Sequence, residues 1–388
     1  MGRDIANELR IRHVQKLQYE TVLVLQGGGS LGAYECGVFK TLHSHVIKFD
    51  IVSGTSIGAV NAGMIAGPKG AGDPAENLEA FWLDVAETVA PFPMGDMARA
   101  MAASYYSAVY GNSRAFLPTW HLPNADATMM QPFLPFTFGF QKPYAYELDP
   151  LKKTLARYID FEKLNDPAKR AARLVVTCTD LKASEPVVFD SASTKMTADH
   201  LVACASFPLY GIAWTEIDGK YLWDGALLSN TPLREVIDVS PKHDKQVYIV
   251  NLFPHRQEQL PENMLDSWHK ARDIMHTDRT DHNVRMSEVI SRYLLILKEM
   301  HDMLSNVELK GDVKDRFLKL EKEYHKLAGL RGAIIDDIIR IERSEDIHYL
   351  FEDADFSIAT IKKLIRQGED DTEEALKKHK SDVKKRGR

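Results

Sequence analysis

The residues best placed to do chemistry are Gly54-Thr55-Ser56-Ile57-Gly58. This serine follows the apolar pair Ile51-Val52 and precedes the small-residue run Ala59-Val-Asn-Ala-Gly63. That is the strand–turn–helix context of a nucleophile elbow. Glycines two residues either side let strand and helix approach without Cβ clashes. The chemistry would be acyl transfer through a covalent serine ester. Two further segments could serve the same reaction. Gly27-Gly28-Gly29-Ser30-Leu31-Gly32 follows an apolar run and opens a helix, so its amides could hold an oxyanion. Asp224, in Tyr221-Leu-Trp-Asp224-Gly225-Ala226, is a carboxylate able to act as the base. Taken alone, an Asp-Gly after a short apolar run is an ordinary turn. The glycine loop also fits a dinucleotide turn. Such a turn needs an acidic residue about 20 positions on, in a second strand. Asp50 is near that range but immediately precedes the elbow. A hydrolase explains both loops together.

These three segments, in this order, resemble the patatin-like phospholipase family, over roughly residues 21–255. Ala205-Ser206-Phe207-Pro208 is similar to a segment that the family carries ahead of its aspartate. The resemblance implies a dyad with no histidine: Ser56 as nucleophile and Asp224 as general base. It implies an oxyanion hole built from the amides of Gly27, Gly28 and Gly29. It implies an acyl-enzyme, a lipid or other acyl-ester substrate, and no metal or cofactor. The family's loop often has a basic residue where this chain has Leu31, and its aspartate motif more often ends in glycine than in Ala226. Because an aspartate of ordinary pKa, about 3.9, is a poor base for an alcohol, the surroundings of Asp224 should be partly desolvated.

Three rivals stand beside this reading. A Ser-Asp-His triad, as in other esterases or a polyester depolymerase, needs a histidine after the aspartate, and His243 and His255 both qualify by order. An acyltransferase would tend to place histidine beside the serine, where this chain has Thr55. A catalytically silent protein that binds a membrane or a partner would act through its C-terminal helices.

The elements that must position these residues follow from the texture of the 388-residue chain. Thr21-Val-Leu-Val-Leu25 reads as a buried parallel strand, with Leu174 to Cys178, Pro186 to Phe189 and Val247 to Leu252 as further strands. Strands alternating with helical stretches predict an α/β fold, and the family resemblance implies a three-layer α/β/α arrangement around a mostly parallel sheet. We divide the chain into an N-terminal segment 1–20, a catalytic domain 21–258 and a mainly helical C-terminal region 259–388 with a basic tail. In the last region Val289, Tyr293, Leu297, Met300 and Leu304 form one apolar stripe. Ile358, Ile361, Leu364 and Ile365 form a second, with Gly368 as its C-terminal cap. The stripes would pack on the catalytic domain or on each other, or form a dimer seam. Residues 377–388 carry seven Lys/Arg against one Asp, a frayed tail or a contact for anionic headgroups at roughly 1 kcal/mol per basic residue. Residues 116–146 interleave prolines with aromatics and predict an irregular insertion, either packed on the core or walling an acyl cleft.

Composition bounds the rest. A net charge of −6 gives no sign of a nucleic-acid partner. Three cysteines, Cys36, Cys178 and Cys204, argue against a disulfide framework and fit a reducing compartment. There is no apolar core of a signal peptide before Glu20, and no apolar run near the length of about 18 residues that spans a bilayer. The expectation is a cytoplasmic protein, at most peripheral to a membrane.

Overall fold

Thr21-Val-Leu-Val-Leu25 has no polar side to turn towards water, and it becomes an interior strand. The computed structural model describes residues 19–70, 72–88, 95–119, 143–241, 243–253, 260–277, 280–307, 310–330, 335–344 and 352–386. The first half of the chain forms β1 (Glu20–Leu25), α1 (Gly32–Ser44), β2 (Ile51–Thr55), α2 (Ile57–Ala66), α3 (Pro74–Val85), α4 (Gly95–Tyr110), β3 (Leu117–Pro118), β4 (Tyr146–Glu147), α5 (Asp149–Tyr158), α6 (Phe161–Asn165), β5 (Arg173–Asp180) and β6 (Glu185–Asp190). The second forms α7 (Ala198–Cys204), β7 (Thr215–Ile217), β8 (Lys220–Asp224), α8 (Leu233–Val239), β9 (Lys245–Asn251), α9 (Met264–His276), α10 (Thr280–Ser305), α11 (Asp312–Leu330), β10 (Ile335–Glu342) and α12 (Ile358–Arg386).

The main sheet runs β10-β9-β1-β2-β5-β8-β7, with β6 also paired to β5. The strands from β10 to β5 are mutually parallel, while β6, β7 and β8 enter antiparallel. Alternate side chains of each strand serve opposite layers. Val22 and Val24 join Leu233, Val236 and Ile237 of α8 and Val284 of α10 on one face. Leu23 and Leu25 join α1, α2, α3 and α12 on the other. This is the predicted three-layer α/β/α arrangement.

One register fact positions the chemistry. Thr55 of β2 pairs with Thr177 of β5, and Asp224 of β8 pairs with Cys178. The strand ahead of the serine and the strand that carries the aspartate therefore end at adjacent residues of β5.

The C-terminal region is more than helical. Ile335–Glu342 adds a parallel edge strand against β9, which the charged texture after residue 258 did not suggest. The second apolar stripe packs as expected, with Ile361, Leu364 and Ile365 buried. Gly368, however, ends no helix, because α12 runs through it to Arg386. The reason is close helix–helix approach. A Cβ on Gly368 would lie 2.1 Å from the Tyr34 carbonyl oxygen, and one on Gly37 would lie 1.9 Å from that of Ile365. The basic tail is correspondingly helical as far as Arg386 instead of frayed. We expect Gly368→Leu to lower stability by about 1–3 kcal/mol through overpacking, read as a shifted denaturant midpoint. A wild-type midpoint would refute this close packing.

The first stripe behaves differently. Val289, Tyr293, Leu297, Met300 and Leu304 are all exposed along α10. Of the insertion at 116–146, residues 120–142 lie outside the described residues. Its flanks are joined by the short β3–β4 ladder, with Phe116 edge-on to Tyr146.

Candidate active site

Ser56 stands where β2 becomes α2, with φ 56° and ψ −127°. A side chain rarely adopts this conformation, which costs of order 1–3 kcal/mol and is over-represented at functional sites. The turn is enforced by contact: a Cβ on Gly54 would lie 2.2 Å from the Gly58 backbone, so neither strand nor helix could approach otherwise. The Ser56 carbonyl accepts from Ala59 N–H at 3.0 Å, so the serine caps the helix. Thr55 Oγ1 donates to the Ser229 carbonyl at 2.9 Å, tying the elbow to the loop after Asp224.

Asp224 is fully buried. Its backbone N–H donates to the Ser206 carbonyl at 3.0 Å, and its carbonyl accepts from Thr179 Oγ1 at 3.0 Å. Ala205-Ser206-Phe207-Pro208 thus braces the aspartate. Its Oδ1 accepts from the Ala226 N–H at 2.8 Å. Its Oδ2 is buried and makes no hydrogen bond of ordinary geometry. Burial pushes the carboxyl up to about 7, opposed by the Ser56 hydroxyl and the Ala226 N–H. The Ser56 hydroxyl lies close enough to this carboxylate to favour its charged form. Next to it, the Cys178 and Cys204 thiols meet at 2.8 Å, and burial holds the Cys204 thiol well above its usual pKa. The aspartate accordingly sits on a nearly uncharged floor.

The glycine loop passes directly beside the serine. A Cβ on Gly27 would lie 2.8 Å from Ser56 Cβ. The three amides are not equivalent. Gly27 N–H donates to the Asn230 carbonyl at 3.4 Å, while the N–H groups of Gly28 and Gly29 find no protein acceptor among the described residues. Gly29 adopts φ 57°, the left-handed region that favours glycine, and its Cα lies against the Asp353 carbonyl. Ser30 Oγ donates to the Glu352 carbonyl at 3.1 Å. The loop is thus backed by residues far down the chain. Glu352 is held in turn by Arg272 Nη2 at 2.9 Å and Arg343 Nη2 at 3.1 Å. Leu31, where the family often has a cation, is buried in the core.

His243 is far from this chemistry. It pairs with Glu20, at the opposite end of β1, at 3.3 Å. His255 lies outside the described residues. No histidine among the described residues hydrogen-bonds Ser56 or Asp224.

Several supporting residues carried no signal that we read. Gln26 Nε2 donates to Thr231 Oγ1 at 3.0 Å and to the His276 carbonyl at 2.9 Å, while its Oε1 accepts from Leu252 N–H at 2.7 Å. Asn230 Nδ2 donates to the Gly27 carbonyl at 3.2 Å. Asn61 Nδ2 reaches both the Gly32 carbonyl, at 3.0 Å, and Glu35 Oε2, at 2.7 Å. Trp82 Nε1 donates to Asn61 Oδ1 at 3.1 Å. This set joins the loop helix α1 to the elbow helix α2. The only available signal was polar residues inside otherwise apolar stretches, at Gln26, Glu35 and Asn61.

Parallel strands ending in a serine elbow beside an amide-rich turn define the class, an α/β acyl hydrolase. The chain belongs to the patatin-like phospholipase family, whose model matches residues 23–237. It is a lipid acyl hydrolase acting on ester bonds. Among solved structures, the crystal structure of VipD from Legionella pneumophila is similar at 15% identity, covering 93% of this chain and 67% of that one with a TM-score of 0.39. No curated protein matches the sequence. No helix among the described residues is long and apolar enough to cross a membrane.

Proposed function

We propose that this protein is a phospholipase A or related lipid esterase working through a Ser56–Asp224 dyad. The observation that carries the reading is a strained serine close to a fully buried carboxylate whose Oδ2 has no hydrogen-bond partner among the described residues. Ser56 Oγ attacks the ester carbonyl carbon while its proton passes to Asp224 Oδ2. The oxyanion is taken by the free amides of Gly28 and Gly29, with Gly27 fixing the loop against the serine. As the carbon–oxygen bond to the leaving alcohol breaks, Asp224 returns the proton to that oxygen. Water then attacks the acyl-serine, giving a proton to Asp224, which passes it to Ser56 Oγ as the bond from that oxygen to the acyl carbon breaks and the fatty acid leaves. Losing one oxyanion donor in such a site typically costs about 2.7–4 kcal/mol of transition-state stabilisation.

Exposed Leu227 and Leu228, three and four residues after Asp224, support entry of the acyl chain from a lipid surface at this side. The test is fatty-acid release from mixed phospholipid vesicles, combined with labelling by a fluorophosphonate. Wild type should release fatty acid and label at Ser56. Ser56→Ala and Asp224→Asn should do neither at a comparable rate. Equal release by all three proteins would sink the proposal.

A further inference from the structure

A second candidate site lies outside the catalytic centre, on the hairpin of α10 and α11. His301 of α10 and Glu321 and His325 of α11 present ligand atoms that all lie within 4.8 Å of one another. Glu321 and His325 are four residues apart, so they share one helix face. We propose that this trio is a binding site for a divalent transition-metal ion of the zinc type, which clips α10 to α11.

The donor set suits such an ion. Two imidazoles and one carboxylate are ligands that Zn²⁺ takes in sites retaining one further position. The spacing also suits it. His301 Nε2 and Glu321 Oε1 are 3.3 Å apart. Ligands about 2.0–2.2 Å from a tetrahedral ion stand about 3.3–3.5 Å from each other. The first pair is therefore already at the required separation. The third needs only a side-chain movement, and His325 is exposed and able to make it.

The surroundings orient the central ligand. His301 Nδ1 lies 3.3 Å from Asp302 Oδ1, which favours a proton on Nδ1 and directs the Nε2 lone pair towards Glu321. A carboxylate behind a ligating histidine raises its basicity and fixes its tautomer. The ring itself is held by stacking on Tyr324, with centroids 5.0 Å apart, and on Phe317, at 5.7 Å. No buried machinery of the hydrolase is involved, so the metal would act on the hairpin and not on the ester chemistry.

The experiment uses the full chain stripped of metal and titrated with Zn²⁺ by calorimetry, with Co²⁺ as a spectroscopic reporter. We expect one tight Zn²⁺ per chain and the strong visible absorption of four-coordinate Co²⁺. His325→Ala, at an exposed position, should weaken that site at least about tenfold, and Glu321→Gln should do the same, because each removes one of three protein ligands. Ester hydrolysis should be unchanged in both variants. Zn²⁺ should also slow proteolytic cleavage between α10 and α11 in wild type but not in His325→Ala. Absence of a stoichiometric site in wild type would overturn the proposal. So would equal Zn²⁺ affinity in wild type and both variants, or a protease pattern indifferent to Zn²⁺.

Discussion

Ser56→Ala should lose essentially all acyl hydrolase activity, on the order of 10⁴-fold or more, because it removes the hydroxyl that forms the acyl-enzyme. Ser56→Gly should be equally inactive but better folded. The backbone at this position has φ 56° and ψ −127°, in a turn imposed by the close packing of Gly54 on Gly58 and not by the serine side chain. Alanine keeps the strain and gives up the chemistry. Glycine gives up both. The difference should be about 1 kcal/mol in favour of the glycine variant, measured by denaturant unfolding. An alanine variant more stable than the glycine variant would show that the elbow relaxes when its hydroxyl is removed. Retained activity in either variant would remove Ser56 from the mechanism.

Asp224→Asn carries the second large effect, and two of its consequences have opposite signs. Activity should fall by about 10³-fold, within the range that general-base catalysis supplies. Stability at pH 8 should rise. The carboxyl is raised from 3.8 to about 7 by burial, so the folded state disfavours its ionised form. Such a group costs nothing below the unfolded pKa, near pH 4, where it is neutral in both states. The cost grows as pH rises from about 4 to 7 and is constant above. Over this window it amounts to something on the order of 4 kcal/mol, which the neutral amide does not incur. Asp224→Asn should therefore unfold later than wild type at pH 8 and together with it near pH 4. In wild type, hydrolysis should increase through an apparent pKa near 7 as the base loses its proton. Identical stability at both pH values would indicate that Asp224 is not desolvated in solution. A flat rate profile between pH 5 and 8 would deny it the role of base.

The legible part of this molecule was the part written in short contiguous motifs. The Gly54–Gly58 elbow, the Gly27–Gly32 loop and Asp224-Gly225-Ala226 are each local, and each meets a local steric need. The parallel strands were legible because a strand buried on both faces is apolar throughout, as in Thr21–Leu25. What the motifs could not reveal was their backing. Gln26, Asn230 and Asn61 act through partners 21–250 residues distant in sequence, as in Gln26 to the His276 carbonyl. β10 is hard to read because Asp337 and Arg340 interrupt its apolar residues, at a sheet edge that tolerates them. Gly368 was misread because a glycine required for close helix contact and a glycine that caps a helix look alike until the neighbouring helix is known.

The backing of the glycine loop by Glu352 and Asp353 has a consequence for how the enzyme is made. The chain is synthesised from its N-terminus, so the loop, the nucleophile and the base all emerge well before the segment against which Gly29 and Ser30 rest. A nascent chain that has reached α8 contains every reacting group and still lacks the support that holds the loop amides in place. Hydrolytic competence should accordingly arise only after Glu352 and Asp353 have emerged and folded against the loop. An enzyme whose oxyanion loop is completed by a later segment stays inactive on esters while that segment is still being synthesised.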